Sequence, residues 1–389
     1  MADTSTTFAE LGLAPQLVRA LKAEGLVHPF PIQAAAIPTA LEGRDVLGRG
    51  PTGSGKTFTF GLPMIHRLTQ GFSTPKQPRG LILVPTRELA AQVRERLDPL
   101  AAAAGQRVLE VVGGVKIQRN ITALARPVDI LMATPGRLQD LVDQKILSLA
   151  SVETVALDEA DQMADMGFLP QVTKLLKLVP RSAQHLLFSA TLDGDVQQLV
   201  DRFLTDPVEF STGEAKVSVD SMDHTLVVSA TPDERTVVLR ELAVSASKMV
   251  MFVRTTHGAD RLAKKLLKMG THAVALHGNK GQSTRTAALA AFASGEAPVL
   301  VATDIAARGI DVKDVDVVVH VDAPADPKAY VHRAGRTARA GAAGVVVTLT
   351  YTDKEADVLA MMSKAGVTPA VVAAGSFSLK HILPTAKKN

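Results

Sequence analysis

Apolar residues in this chain gather in short unbroken runs: RDVLG (44–48), GLILVP (80–85), RVLEVV (107–112), DILMAT (129–134), TVALD (154–158) and HLLFSAT (185–191). Runs of this length, with β-branched residues and no polar alternation, predict strands buried on both faces. Between them lie stretches of helical period, such as TRELAAQVRERLDPLA (86–101). Strands alternating with helices predict a parallel sheet covered by helices on both sides, an α/β fold.

The alternation breaks at VEFSTGEAKVSVDSMDH (208–224), which is polar and rich in small residues. It restarts with KMVMFVRT (248–255), HAVALHG (272–278), PVLVATD (298–304), VDVVVHVD (315–322) and GVVVTLT (344–350). Two α/β domains of similar type are expected, over 1–208 and 223–375, joined by a linker at 209–222 and followed by a short tail at 376–389. Thr352 and Glu355 have capping-box spacing for a last helix that closes near Gly366.

Composition narrows the chemistry. With 389 residues, 46% hydrophobic and 21% charged, the chain reads as globular and long enough for two cores. A net charge of +4 permits a polyanionic partner without demonstrating one. Cysteine is absent, which removes disulfides, thiolate metal sites and cysteine nucleophiles together, so any metal must bind through oxygen or imidazole. The start, MADTSTTFAELGLAPQ, lacks the basic region and apolar core of a signal peptide, and no apolar run is long enough to span a membrane. A cytoplasmic location is the expectation. Trp is absent and aromatics total 4%, so a nucleic-acid partner is expected to be gripped mainly by its backbone.

GPTGSGKT (50–57) follows the first predicted strand and precedes a helical stretch, the setting that the phosphate-binding motif G-x-x-x-x-G-K-[ST] requires. Gly53 and Gly55 allow backbone N–H groups around Thr52 and Ser54 to close on phosphate oxygens at a helix N-terminus. Lys56 reaches the β and γ phosphates and Thr57 ligates Mg²⁺. Such a loop needs an acidic element at a neighbouring strand end, and TVALDEAD (154–161) has that form. Asp158 is the metal carboxylate, directly or through water, and Glu159 orients or deprotonates the attacking water.

Residues 158–161 spell Asp-Glu-Ala-Asp, and the sequence from Phe8 to about Thr350 resembles the DEAD-box family of ATP-dependent RNA helicases. The resemblance implies two tandem RecA-like domains. GLVHPFPIQ (25–33) is similar to the family's adenine-recognising Q motif, which implies that Gln33 reads the adenine edge and Phe8 packs on the base. Phe30 stands where the family more often has Thr, and Gly50-Pro51 where it more often has Ala-Gln.

PTREL (85–89), GG (113–114) and TPGR (134–137) resemble the first domain's RNA-facing motifs, which implies backbone and 2′-OH contacts from Pro85, Thr86, Arg87, Gly114, Thr134 and Arg137. SAT (189–191) resembles the motif that couples hydrolysis to unwinding, through Ser189 and Thr191. In the second half, MFVRT (251–255), LHGNKGQSTR (276–285) and VATDIAARGID (301–311) imply RNA contacts at Gly278, Gln282, Arg285 and Thr303, and a ribose contact at Asp311. HRAGRTAR (332–339) resembles the element that completes the ATP site. Arg333, Arg336 and Arg339 recur every third residue, so on a helix they share one broad face. The resemblance makes Arg336 and Arg339 arginine fingers on the γ-phosphate, with Arg333 and Asp161 in coupling and Asp161 contacting the His332 segment.

The resemblance implies an ATP-dependent RNA helicase, an ATP-gated clamp that binds single-stranded RNA through its backbone and separates short duplexes locally, acting as a monomer, without a membrane and with ribonucleoprotein or degradosome-type partners. Two alternatives are an ATP-dependent RNA clamp that separates no strands and a DNA helicase with tandem phosphate-loop domains.

Overall fold

The computed structural model describes residues 6–50, 54–192, 194–211, 222–244, 248–307, 315–337 and 344–379. The chain divides into two compact units, Met1–Ala215 and Lys216–Asn389. The predicted strands of the first unit form as β1 (Val46–Arg49), β2 (Gly80–Leu83), β3 (Val108–Val111), β4 (Ile130–Ala133), β5 (Thr154–Leu157) and β6 (Gln184–Ser189), with a further strand β7 (Val208–Ser211). All pair in parallel, in the order β3-β4-β2-β5-β6-β1-β7.

Successive strand residues face opposite sides of a sheet, and here both sides are apolar. Ile82, Ile130, Met132, Ala156 and Leu186 enter one core with the helices Pro15–Ala23, Pro31–Leu41, Lys56–Arg67 and Arg87–Ala103. Leu81, Leu83, Leu131, Val155 and Leu187 enter the other, with Pro135–Asp143, Leu169–Leu176 and Gly194–Phe203. Burial on both faces explains why these strands read as unbroken apolar runs.

The second unit holds β8 (Met222–Ser229), β9 (Met249–Phe252), β10 (Ala273–Leu276), β11 (Val299–Ala302), β12 (Val317–His320), β13 (Gly344–Tyr351) and β14 (Ala370–Ala373). Its order is β10-β11-β9-β12-β13-β8-β14, again all parallel. Each strand takes the place of the one seven earlier in the chain, so the two sheets repeat one topology. The counterpart of the loop after β1 is therefore the turn after β8. There the helix Pro232–Val244 brings the Glu234 carboxylate to the Ala230 N–H at 2.7 Å.

Three expectations change. The first sheet takes in Glu209, Phe210 and Ser211, which the sequence reading assigned to the linker. Phe377 and Leu379 are buried in the second core, although they were placed in the tail. The last helix, Glu355–Lys364, starts after a 3-10 turn at Thr352–Lys354, and the Thr352 hydroxyl bonds the Ser229 carbonyl at 3.4 Å instead of capping. Its far end does fall at Gly366, in a left-handed backbone.

Candidate functional site

Apart from the Q-motif segment, which precedes β1, every motif singled out in the first half follows a strand at its C-terminal end, where open parallel sheets bind ligands. Strand order sorts them. The phosphate loop follows β1, SAT closes β6 and the acidic segment follows β5, and these three strands are neighbours. PTREL follows β2, TPGR follows β4 and the GG turn follows β3, and these form the other half of the same edge. The segments expected to hold nucleotide and those expected to face RNA occupy adjoining halves.

At the phosphate loop, Gly55 has φ +95° and caps the helix Lys56–Arg67. Buried Lys56 folds back to donate to the Gly50 carbonyl at 2.8 Å. The Ser54 hydroxyl oxygen is buried and lacks a hydrogen-bond partner among the described residues. Half-buried Thr57 opens the helix one residue after Lys56, while Thr52 and Gly53 lie outside the described residues. A lysine folded back on a carbonyl and a hydroxyl with no partner among the described residues are donors suited to a phosphate.

Gln33 acts as a strut here. Its Oε1 accepts the Phe30 N–H at 2.8 Å and its Nε2 donates to the Gly55 carbonyl at 2.9 Å, fixing the Q-motif segment to the loop. Phe8 is 3% exposed and lies in the first core, its N–H on the Val27 carbonyl. The aromatic that stands open beside Gly55 is Phe30, 57% exposed, a residue to which the sequence reading assigned no contact.

Asp158 is buried, and burial pushes its carboxyl up to about 6, against the lowering influence of Lys56. Its Oδ1 accepts the Glu159 N–H at 3.0 Å. A buried carboxylate short of positive charge suits a divalent cation, and Thr57 with Asp158 has the oxygen chemistry that Mg²⁺ takes. Glu159 is buried with φ 53°, a left-handed backbone uncommon outside glycine, and it caps the short helix Ala160–Asp165. Among the described residues no three His, Asp or Glu converge as a metal cluster.

Asp161 is committed inside the first domain. Its Oδ2 accepts the Ala190 N–H at 3.2 Å, the Thr191 N–H at 3.1 Å and the Thr191 hydroxyl at 3.3 Å, while its own N–H donates to Ser189 Oγ at 3.2 Å. Ser189 Oγ in turn donates to the Thr191 carbonyl at 2.7 Å. The three predicted coupling residues of this domain thus form one network, joining the ends of β5 and β6.

On the other half of the edge, Pro85 is buried and Thr86 caps the helix Arg87–Ala103 by accepting the Leu89 N–H at 3.2 Å. The Arg87 guanidinium lies over Gly113 and Gly114, and Gly114 has φ +76°. Buried Thr134 precedes the helix Pro135–Asp143, and Arg137 donates to Asn120 Oδ1 at 2.8 Å.

In the second domain Gly278 follows β10, Thr303 follows β11 and Arg254 follows β9, the counterparts of β3, β4 and β2. Gln282 and buried Arg285 open the helix Gln282–Ser294. Arg333 is buried, gripping Asp304 through Nε at 2.5 Å and Nη2 at 2.7 Å and the Asp322 carbonyl at 2.8 Å. Asp304 was missed, although an acid directly after the Thr303 strand end was a legible signal. Arg333 and Arg336 do not share the helical face expected for them. The helix Pro327–Ala334 ends at Gly335, leaving His332 on it and Arg336 beyond it, while the Thr337 hydroxyl bonds the Val315 carbonyl at 2.5 Å. Asp311 and Arg339 lie outside the described residues.

Residues 30–199 match the DEAD/DEAH box helicase family, and residues 234–341 the helicase conserved C-terminal domain. The chain is 39% identical over 352 residues to the DEAD-box ATP-dependent RNA helicase CshA of Bacillus cereus, covering 90% of this chain and 66% of that protein. It is 40% identical over 354 residues to the ATP-dependent rRNA helicase rrp3 of Emericella nidulans, covering 90% and 75%. Among solved structures, S. cerevisiae Dbp5 bound to RNA and ADP BeF3 superposes with a TM-score of 0.83 at 29% identity, covering 95% of this chain and 96% of that one. Both sheets, with their helices, have the tandem RecA-like arrangement of these helicases.

Proposed function

The chain belongs to the DEAD-box family of RNA helicases, and from that premise we propose that it is an ATP-dependent RNA helicase, binding single-stranded RNA through its backbone and separating short duplexes locally. The observation that carries the reading is the division of one sheet edge. Lys56, Asp158 and Glu159 stand over β1 and β5, Arg87, Gly114 and Arg137 stand over β2, β3 and β4, and Asp161 ties β5 to β6 beside them.

In the proposed reaction ATP displaces the Gly50 carbonyl from Lys56, whose ammonium then meets the β and γ phosphates. The loop N–H groups and the Ser54 hydroxyl donate to phosphate oxygens. Mg²⁺ on Thr57 and Asp158 supplies charge neutralisation when bound. Glu159 takes the proton of the attacking water, which is worth roughly 10²–10⁴ in rate for a positioned base. Arg336 and Arg339 supply positive charge to the γ-phosphate, and Asp311 a ribose contact. Hydrolysis removes the ligand that favours the RNA-gripping state, and RNA leaves.

The chain spans 66% of the length of the CshA of Bacillus cereus, so targets and partners belong to the proposal too: RNA without sequence preference, ribonucleoprotein or degradosome-type proteins, a monomeric state and a cytoplasmic location. No described helix is long and apolar enough to cross a membrane. The test is ATPase activity with and without RNA, for the wild type and for Lys56→Ala and Glu159→Gln. RNA must stimulate the first and neither variant may turn over at its rate; undiminished turnover in both would sink the assignment.

A further inference from the structure

The end of the first sheet opposite the phosphate loop carries a line of cations. Strands β4, β2, β5 and β6 are neighbours, so the loops entering their N-terminal ends lie side by side over about 14 Å, at about 4.8 Å per strand. The loop into β4 presents Arg126, that into β2 Lys76, that into β5 Lys145, and that into β6 Lys177 and Arg181, all exposed. Backbone contacts hold the first three loops together. The Lys76 N–H donates to the Leu124 carbonyl at 3.2 Å, the Ser148 N–H to the Lys76 carbonyl at 2.9 Å, and Pro75 bridges Pro127.

Acids at this end are already engaged. Glu153 pairs with Arg79 at 2.6 Å, Asp143 with Lys174 at 2.9 Å, and Asp129 accepts from the Ser73 hydroxyl at 2.7 Å and the Arg107 N–H at 2.8 Å. The five cations make no ion pair among the described residues.

In the same loop as Lys76, four residues before it, stands Phe72, 96% exposed. Its loop is anchored on both sides: Arg79 donates to the Leu68 carbonyl at 3.2 Å and to the Gln70 carbonyl, Ser73 holds Asp129, and Thr74 bridges Gln77. The ring is thus presented by a built turn in a protein with only 12 Phe and no Trp. Neighbouring cations with an open aromatic face have the chemistry of single-stranded nucleic-acid binding: charge for phosphates, a platform for one base.

We propose that this end of the first domain binds a second stretch of single-stranded RNA, with Phe72 stacking on an unpaired base and Lys76, Lys145 and their neighbours on successive phosphates. The proposal rests on the RNA reading above. A strand reaching both ends of the sheet stays tethered while the strand-end motifs release and rebind.

The test compares the wild-type chain with Phe72→Ala and with Lys76→Gly/Lys145→Gly. Lys76 and Lys145 have φ of 63° and 55°, so glycine suits the backbone at both positions while removing the charged side chains. Anisotropy is read on short and long single-stranded RNA and on a blunt duplex, across salt. For the long strand, Phe72→Ala is expected to weaken binding roughly fivefold or more, and the double glycine variant to lower the salt slope by about 1.4, two phosphates' worth. Short-strand binding and maximal RNA-stimulated ATPase stay at wild-type values. Unchanged long-strand affinity and slope overturn the proposal and leave the surface to an acidic protein partner; equal loss on the duplex from Phe72→Ala overturns the stacking. RNA stimulation of the wild-type ATPase tests the enzyme reading separately.

Discussion

Thr191 meets Asp161 twice on one carboxylate oxygen, through its N–H at 3.1 Å and its hydroxyl at 3.3 Å. The first of these contacts runs from the residue three after Asp158 to the backbone that follows β6, so a shift at the acidic segment moves the SAT turn with it. Charge-assisted hydrogen bonds of this kind are worth about 1.5–3 kcal/mol each.

Asp161→Asn removes the charge and turns one acceptor into a donor against either the Gln162 N–H or the SAT amides. ATP binding is expected to persist, strand separation to fall about tenfold or more, and ATPase to fall less. Parallel ATPase and unwinding measurements check it. Equal losses in both would make Asp161 part of the hydrolytic machinery.

Gly114→Ala puts a Cβ into the space of the Arg87 guanidinium, at a position whose φ is +76°. Arg87 must swing away, and the left-handed backbone adds about 1 kcal/mol of strain. RNA affinity is expected to drop several-fold with ATP affinity unchanged. Titrations with labelled RNA and a fluorescent ATP analogue decide; loss of ATP affinity would contradict the division of the sheet edge.

Arg333→Ala leaves Asp304, whose side chain is about a third exposed, without its two-pronged partner and should destabilise the second domain by roughly 1.5–3 kcal/mol, the range for a hydrogen bond to a charged group. Arg333→Lys should recover only part, because an ammonium cannot make both bonds at once. Both tyrosines of the chain, Tyr330 and Tyr351, lie in this domain and Trp is absent, so tyrosine fluorescence in urea reports on it alone.

His320 gives that domain a pH dependence. It is fully buried, with Nδ1 on Thr348 Oγ1 at 3.1 Å, and burial, then Arg333, push its pKa well below the ordinary 6.5. Unfolded, it takes a proton near 6.5; folded, only far lower. The unfolded state therefore binds more protons in that window. Stability is full above about 6.5 and is lost as pH falls, by up to about 1.4 kcal/mol per pH unit. Urea midpoints from pH 7.5 to 5 should fall for the wild type and flatten in His320→Asn; parallel slopes would acquit His320.

Eleven strands were legible because burial on both faces writes a continuous apolar run. The others were not. β7 and β14 are edge strands, half exposed and carrying Glu209 or small residues. β8 carries Asp223 and His224 straight after its first residue, Met222, and His224 is polar yet satisfied, its Nδ1 on the Tyr330 hydroxyl at 2.8 Å, a bond that spacing along the chain cannot reveal. The site was legible as motifs but not as partnerships. Nothing in TVALDEADQM says that Asp161 belongs to Thr191, and a three-residue arginine period looked helical until Gly335 ended the helix.

The repeated strand order carries a last consequence. Where the first sheet opens the helix Lys56–Arg67 onto the phosphate loop, the second closes the equivalent turn with its own Glu234 on the Ala230 N–H. An internal anion already sits in that seat and repels another. Of the two look-alike turns only the first is expected to take a phosphate, and what sets the second apart is a single carboxylate.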